Sequence, residues 1–173
     1  KAIEYIDQGL KKNDKNGALQ LIKIKALEKL AKLDLAEGVF ISLINYYTKE
    51  SAFNTLLAQF YLKHGRKEDA EKIYRTIIEN NPKDLNAKIK LVQFLNAIKG
   101  ADAGLKQLQT FSQQNPDSYD LKFALVQFHL SRKEVALANE LLAKIISEKV
   151  DTEIAIKAKG ATSFTAPGKY LSK

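Results

Sequence analysis

The chain has 173 residues, 45% of them apolar and 28% charged, enough to bury a core without covalent staples, which excludes a wholly disordered chain. It contains no cysteine, so disulfide frameworks, thiol nucleophiles, zinc ribbons and iron–sulfur clusters are excluded together. The net charge is +8, yet only Arg66, Arg75 and Arg132 are arginines, and lysine is a hydrated point charge rather than a bidentate fork for phosphates or base edges.

No apolar run approaches the ~18 residues of a membrane-spanning helix. The chain begins at Lys1 with no apolar leader, which reads as a mature form or as an excised part of a longer chain. The absence of cysteine fits the cytosol and an oxidising envelope compartment equally. Richness in lysine, isoleucine and asparagine is in keeping with a bacterial source.

Internal repetition organises everything that follows. Asn81-Pro82 and Asn115-Pro116 stand one period of 34 residues apart, and the same offset carries Ala58-Gln59-Phe60 onto Val92-Gln93-Phe94 and Val126-Gln127-Phe128. The expected units are therefore a partial repeat at 1–16 (a second helix), a degenerate unit at 17–50, and units at 51–84, 85–118 and 119–152. Residues 153–173 are expected to form the irregular end of the chain, a capping helix that starts at the unit boundary and spans Thr152 to Lys159, then an irregular tail.

Each unit reads as two amphipathic helices. In 51–84, Phe53, Leu56, Leu57, Phe60 and Tyr61 recur at helical spacing, Gly65 ends the pattern as a left-handed cap, and Ala70, Ile73, Tyr74, Ile77 and Ile78 form a second stripe. Asn80-Asn81-Pro82 stops that helix, because the residue before proline is pushed out of the helical region. Unit 85–118 repeats the plan with a break at Lys99-Gly100, and unit 119–152 with a break near Ser131. No segment shows strand alternation between hairpin turns.

These residues resemble the tetratricopeptide repeat family. Counting Ser51 as first, Leu57, Ala58, Tyr61, Gly65, Ala70, Tyr74 and Pro82 fall at places seven, eight, eleven, fifteen, twenty, twenty-four and thirty-two. All are residue types the family favours there. Unit 85–118 departs in having Gly104 at the small twentieth place, unit 119–152 has Val150 in place of the proline, and unit 17–50 has Lys23 where leucine is expected. The resemblance implies an all-α fold, a right-handed superhelical solenoid of helical hairpins, whose first helices line a concave groove through places two, five, nine and twelve.

Carried onto this chain, those places give partner-binding candidates Thr55, Gln59, Asn86, Ile89, Gln93, Asn96, Phe123, Gln127 and Leu130, with Ala52, Leu62 and Asp120 beside them. Unit 17–50 would add Ala18, Leu21, Lys25 and Glu28. Gln59, Gln93 and Gln127 would form a row of amides able to donate to and accept from a peptide backbone. The family's clamp for a C-terminal carboxylate is not matched, since Thr55, Ile89 and Phe123 stand where its lysine would be.

No catalytic, cofactor or metal site is expected. His64 and His129 lie in different repeats without convergent ligands; the first reads as helix-end surface and the second as a substitute for a packing tyrosine. Gly100-Ala101-Asp102-Ala103-Gly104 lacks the Lys-Ser/Thr of a phosphate loop and reads as a turn. Lys23, Lys25, Lys29 and Lys32 interleave with Glu28, Asp34 and Glu37, which reads as a solvated face. The function expected is a non-catalytic scaffold or adaptor for a protein or peptide segment. The alternative is an RNA-binding helical repeat using the basic surface, disfavoured by the few arginines and the interleaved acids.

Overall fold

The computed structural model describes residues 1–148, so the expected capping helix and tail lie outside the described residues. Those residues form nine α-helices and no strand: α1 (Ala2–Lys12), α2 (Gly17–Lys29), α3 (Leu33–Tyr46), α4 (Ser51–Lys63), α5 (Lys67–Asn80), α6 (Leu85–Lys99), α7 (Ala101–Gln114), α8 (Tyr119–Ser131) and α9 (Val135–Ser147). The chain divides into two compact units, Lys1–Lys83 and Asp84–Lys173. In the first, α1 packs on α2, α2 pairs with α3, α3 packs on α4 and α4 pairs with α5; in the second, α6 pairs with α7, α7 packs on α8 and α8 pairs with α9.

Local chemistry explains where the helices start. Asn16, Asp84 and Ser118 precede α2, α6 and α8, and each side-chain oxygen accepts from the backbone N–H three residues on, at 3.0, 2.9 and 3.4 Å. Such a cap satisfies one of the orphan donors of the first turn and contributes ~1 kcal/mol. Glu50, at the same repeat place before α4, makes no such bond.

The turns inside the hairpins share a left-handed residue. Gly65 has φ +75°, and the equivalent Ala31 and Lys133 have φ 55° and 62°. These two side chains occupy a region that costs an L-residue ~1–2 kcal/mol, so stacking of the hairpins overrides local preference there. Between α6 and α7 a single residue, Gly100 at φ 95° and ψ 166°, replaces that turn, in a region essentially restricted to glycine.

The core follows the repeat. Leu27, Tyr61, Leu95 and His129 are buried at one place; Phe40, Tyr74, Leu108 and Leu142 at a second; Leu43, Ile77, Phe111 and Ile145 at a third. Each large apolar side chain buried this way contributes ~1.5–3 kcal/mol. Ala36, Ala70 and Ala138 are fully buried at the small-residue place. Gly104 takes that place in the third hairpin, where a Cβ would lie 2.9 Å from Asn96 Cβ and 3.2 Å from Val92 O. Lys23, at a place where Leu57, Leu91 and Leu125 are buried, instead reaches Asp7 of α1 at 2.7 Å.

Two acids leave the lysine-rich face on which the sequence pattern puts them. Glu28 turns to the end of α4, accepting from Lys63 Nζ at 2.7 Å and lying 2.8 Å from His64 Nε2. Glu37 accepts from Tyr61 Oη at 2.6 Å and pairs with Arg66, which also binds Asp69 at 2.7 Å and stacks on the Tyr61 ring at 4.3 Å. His64 is therefore half-buried, packed against Phe60 with ring centroids 4.7 Å apart, rather than free surface. Stacked hairpins bring these groups together across 24 to 36 residues of sequence.

Candidate functional site, a cleft on the first-helix face

In the second unit, α6, α7 and α8 enclose a cleft of about 450 Å³. Its apolar lining is Ile89 and Val92 from α6, Leu108 from α7, and Ala124 and Phe128 from α8; Gln93, Asn96 and Gln127 are its amides. Both glutamines are exposed. They stand on the same side because they occupy the same helical position one repeat apart, on two helices that flank a common partner.

Arg132 also lines the cleft. Its Nη1 donates to Asp102 Oδ1 at 2.8 Å and its Nε to Glu134 Oε1 at 2.7 Å, which hold the guanidinium pKa above its ordinary value. Glu134 also lies 2.7 Å from Nδ1 of buried His129, and His129 first and Arg132 second hold its carboxyl below the usual carboxylate range. The arrangement fixes the α8–α9 turn, where strained Lys133 sits. An extended or helical segment laid in this cleft would meet amide donors and acceptors above an apolar floor.

Of the sequence candidates, Ile89, Gln93, Asn96 and Gln127 converge on this cleft. Phe123 and Leu130 do not line it; they pack, half-buried, against the α8–α9 core of Val126, Ala138, Leu142 and Ile145. Asn86 is exposed on the first turn of α6, outside the cleft. Thr55 and Gln59 lie on α4 in the first unit, where Thr55 Oγ1 donates to Ser51 O at 3.2 Å and Gln59 is exposed. Phe128, Ser131 and Arg132 line the cleft without having been singled out from sequence. For Phe128 the signal was present, since it follows Gln127 in each copy of the repeated triplet.

In the first unit Glu37, Tyr61, Arg66 and Asp69 sit at one end of a cleft of about 410 Å³ on the second-helix side. Arg66 above all holds the Glu37 carboxyl low, and burial followed by Glu37 pushes the Tyr61 phenol up to about 12. All four groups are engaged with one another, as a structural tie would be. Among the described residues, no group of three or more His, Cys, Asp or Glu side chains converges to hold a metal ion, and no helix is long and apolar enough to cross a membrane.

The fold is an all-α hairpin repeat of the tetratricopeptide type, with two helices per 34-residue period and a small buried residue where the paired helices touch. No family model and no curated protein sequence matches the chain. Among solved structures it is similar to a tetratricopeptide repeat protein from Parabacteroides merdae ATCC 43184, at 18% identity and TM-score 0.49, covering 94% of this chain and 65% of that one. A chain of the Naa15/Naa10 structure bound to HypK-THB gives 16% identity and TM-score 0.50, covering 87% of this chain and 23% of that one. YrrB, described as a TPR protein with an unusual peptide-binding site, gives 18% identity and TM-score 0.47 over 92% of this chain and 82% of its own. At these identities the likeness is one of fold. The chain spans less than two thirds of the first two of these proteins.

Proposed function

We propose that this chain is a non-catalytic protein-interaction scaffold that seats a helical or extended partner segment on the face made by the first helices of its hairpins. The α6–α7–α8 cleft is the principal seat in the second unit. The observation that carries this reading is the pairing of Gln93 and Gln127, both exposed, over an apolar floor of Ile89, Ala124 and Phe128. Thr55 and Gln59 would serve the first unit in the same way. Glu28, Glu37, Asp102 and Glu134 are engaged in ion pairs with Lys63, Arg66 and Arg132 rather than aimed at a common point, which supports binding rather than catalysis.

The test is selection of peptides from a displayed library on the intact chain, followed by calorimetry with variants. Gln93→Ala, Gln127→Ala and Phe128→Ala should each weaken a selected peptide by more than about 1 kcal/mol, since hot spots are few and central. Lys106→Ala, on α7 away from the cleft, should alter only salt dependence. Phe123→Ala should also lower stability, because its ring packs on the α8–α9 core. Loss of binding with Lys106→Ala, and none with the three cleft variants, would refute the assignment.

A further inference from the structure

The first unit presents a different chemistry on its first-helix face. Helices α2 and α4 lie side by side and parallel. At one end a Cβ on Gly17 would lie 3.6 Å from Phe53 Cζ, and at the other Glu28 bonds Lys63 and His64. With α3 packed against both, their exposed rows face the same way. Ile22 is 52% and Leu56 37% exposed near the middle of those rows. Lys25, Lys29 and Lys63 follow toward the C-terminal ends, all exposed.

The sequence pattern suggests that Glu28 neutralises these lysines, and the structure removes that reason to discount them. Glu28 is drawn inward onto α4, where Lys63 first and then His64 hold its carboxyl low. Lys25 and Lys29 make no ion pair among the described residues. Lys63 spends one N–H on Glu28 and keeps its side chain 65% exposed. The face therefore runs from two large apolar side chains to three cations, of which Glu28 engages only Lys63; Glu4 of α1, which lines a cleft with Lys29, pairs with the N-terminal ammonium at 3.6 Å. At 1.5 Å per residue, Ile22 and Lys29 are separated by about 10 Å along the helix.

We infer that this face of the first unit docks a protein segment bearing apolar side chains followed, about 10 Å on, by a cluster of acidic side chains. The inference rests on the scaffold reading and names the chemistry of one partner. Charge complementarity selects the acidic end, because exposed lysines raise the on-rate for an oppositely charged partner and reject a like-charged one. Exposed Ile22 and Leu56 select a protein over a nucleic acid, whose backbone offers them nothing apolar. Glutamate or aspartate side chains, rather than a chain-terminal carboxylate, suit lysines spread over two helices.

The experiment is fluorescence anisotropy on the intact chain at about 0.15 M salt, where exposed charges more than ~8 Å apart are largely screened. The probe is a labelled peptide with two leucines and then a run of glutamates, its C-terminus amidated. Binding is expected, weakened at least tenfold by the pair Lys25→Glu and Lys29→Glu and by the pair Ile22→Ser and Leu56→Ser. The pair Lys11→Glu and Lys12→Glu makes the same change in net charge at the end of α1 and should leave binding within twofold. Thermal melts of each variant separate lost binding from lost folding, since all the substituted side chains are exposed. The inference is overturned if the peptide does not bind, if replacing its leucines by serine changes nothing, or if oligouridine RNA or phosphatidylserine vesicles bind more tightly. In that event library-selected peptides that still depend on Gln93 and Gln127 would leave the scaffold reading standing. Conversely, an acidic peptide sensitive to Lys25 and Lys29, with no peptide sensitive to the α6–α8 cleft, would sink the cleft assignment alone.

Discussion

Replacing Gly104 by alanine should destabilise the second unit even though alanine is the better helix former. Alanine in a helix interior gains ~1 kcal/mol over glycine. Against this, the added Cβ would stand 2.9 Å from Asn96 Cβ, 3.2 Å from Asn96 Cα and 3.2 Å from Val92 O, whereas carbon atoms pack best at ~3.5–4.0 Å. Two of the opposing atoms are backbone and the third is the root of a side chain, so no rotamer change relieves the contact and α6 must move from α7. Overpacking of a tight contact costs ~1–3 kcal/mol, and rigid opposition places this case at the upper end, for a net loss of ~1–2 kcal/mol. Gly38 supplies the control: it is exposed on α3 with nothing within 4 Å of its Cβ position. Gly38→Ala should therefore keep the ~1 kcal/mol of helix propensity. Urea unfolding followed by far-UV circular dichroism measures both. A Gly104→Ala chain as stable as the parent, alongside a stabilised Gly38→Ala chain, would show that α6 and α7 do not approach as described.

The left-handed turns make a second prediction: Ala31→Gly and Lys133→Gly should each stabilise by ~0.5–1 kcal/mol, because relief of ~1–2 kcal/mol of backbone strain outweighs the entropy glycine adds to the unfolded chain. Gly65→Ala should do the reverse, and thermal melts of the three variants read the order directly. Stability should also fall at both ends of the pH range. Glu28, Glu37 and Glu134 have carboxyls held below their ordinary values, so the unfolded chain binds protons first; the stability they contribute is complete above ~pH 5 and is lost as pH drops through the lowered folded values. Tyr61, pushed up to about 12 from an ordinary 10, keeps its proton longer in the folded chain, so stability falls from pH ~10 upward. Burial raises the Tyr74 phenol as well, so Tyr61→Phe should lessen the alkaline loss without abolishing it, and melting temperatures across pH 3–11 check both limbs.

The repeat period, the two helices of each hairpin and the small residue between them are legible in the sequence because they are set by short-range physics. Apolar side chains three and four residues apart make one helical face, and Asn16, Asp84 and Ser118 cap the first turn from three residues away. Those caps recur at one repeat place and offer a readable signal for the starts of α2, α6 and α8, though not of α4, where Glu50 makes no such bond. The pairing of Gln93 with Gln127 over one cleft is equally visible, since equal places in equal helices face alike.

What only the tertiary structure decided depends on groups brought together by stacking. Glu28 and Glu37 look like part of a mixed solvated face until α4 and its turn offer Lys63, His64, Tyr61 and Arg66, partners 24 to 36 residues away. With Glu28 drawn onto Lys63, Lys25 and Lys29 are left without an ion pair among the described residues. Phe123 and Leu130 fall on inward-facing places by repeat arithmetic, yet they pack toward α9, while Phe128 lines the cleft. Ala31 and Lys133 adopt a backbone conformation their own side chains disfavour, at the place where Gly65 closes its hairpin in the same way, whereas Gly100 closes the α6–α7 hairpin through a different turn. A pattern of apolar residues fixes which face of a helix is inward. Which neighbour that face meets, and which charges are spent in meeting it, is settled when the hairpins stack.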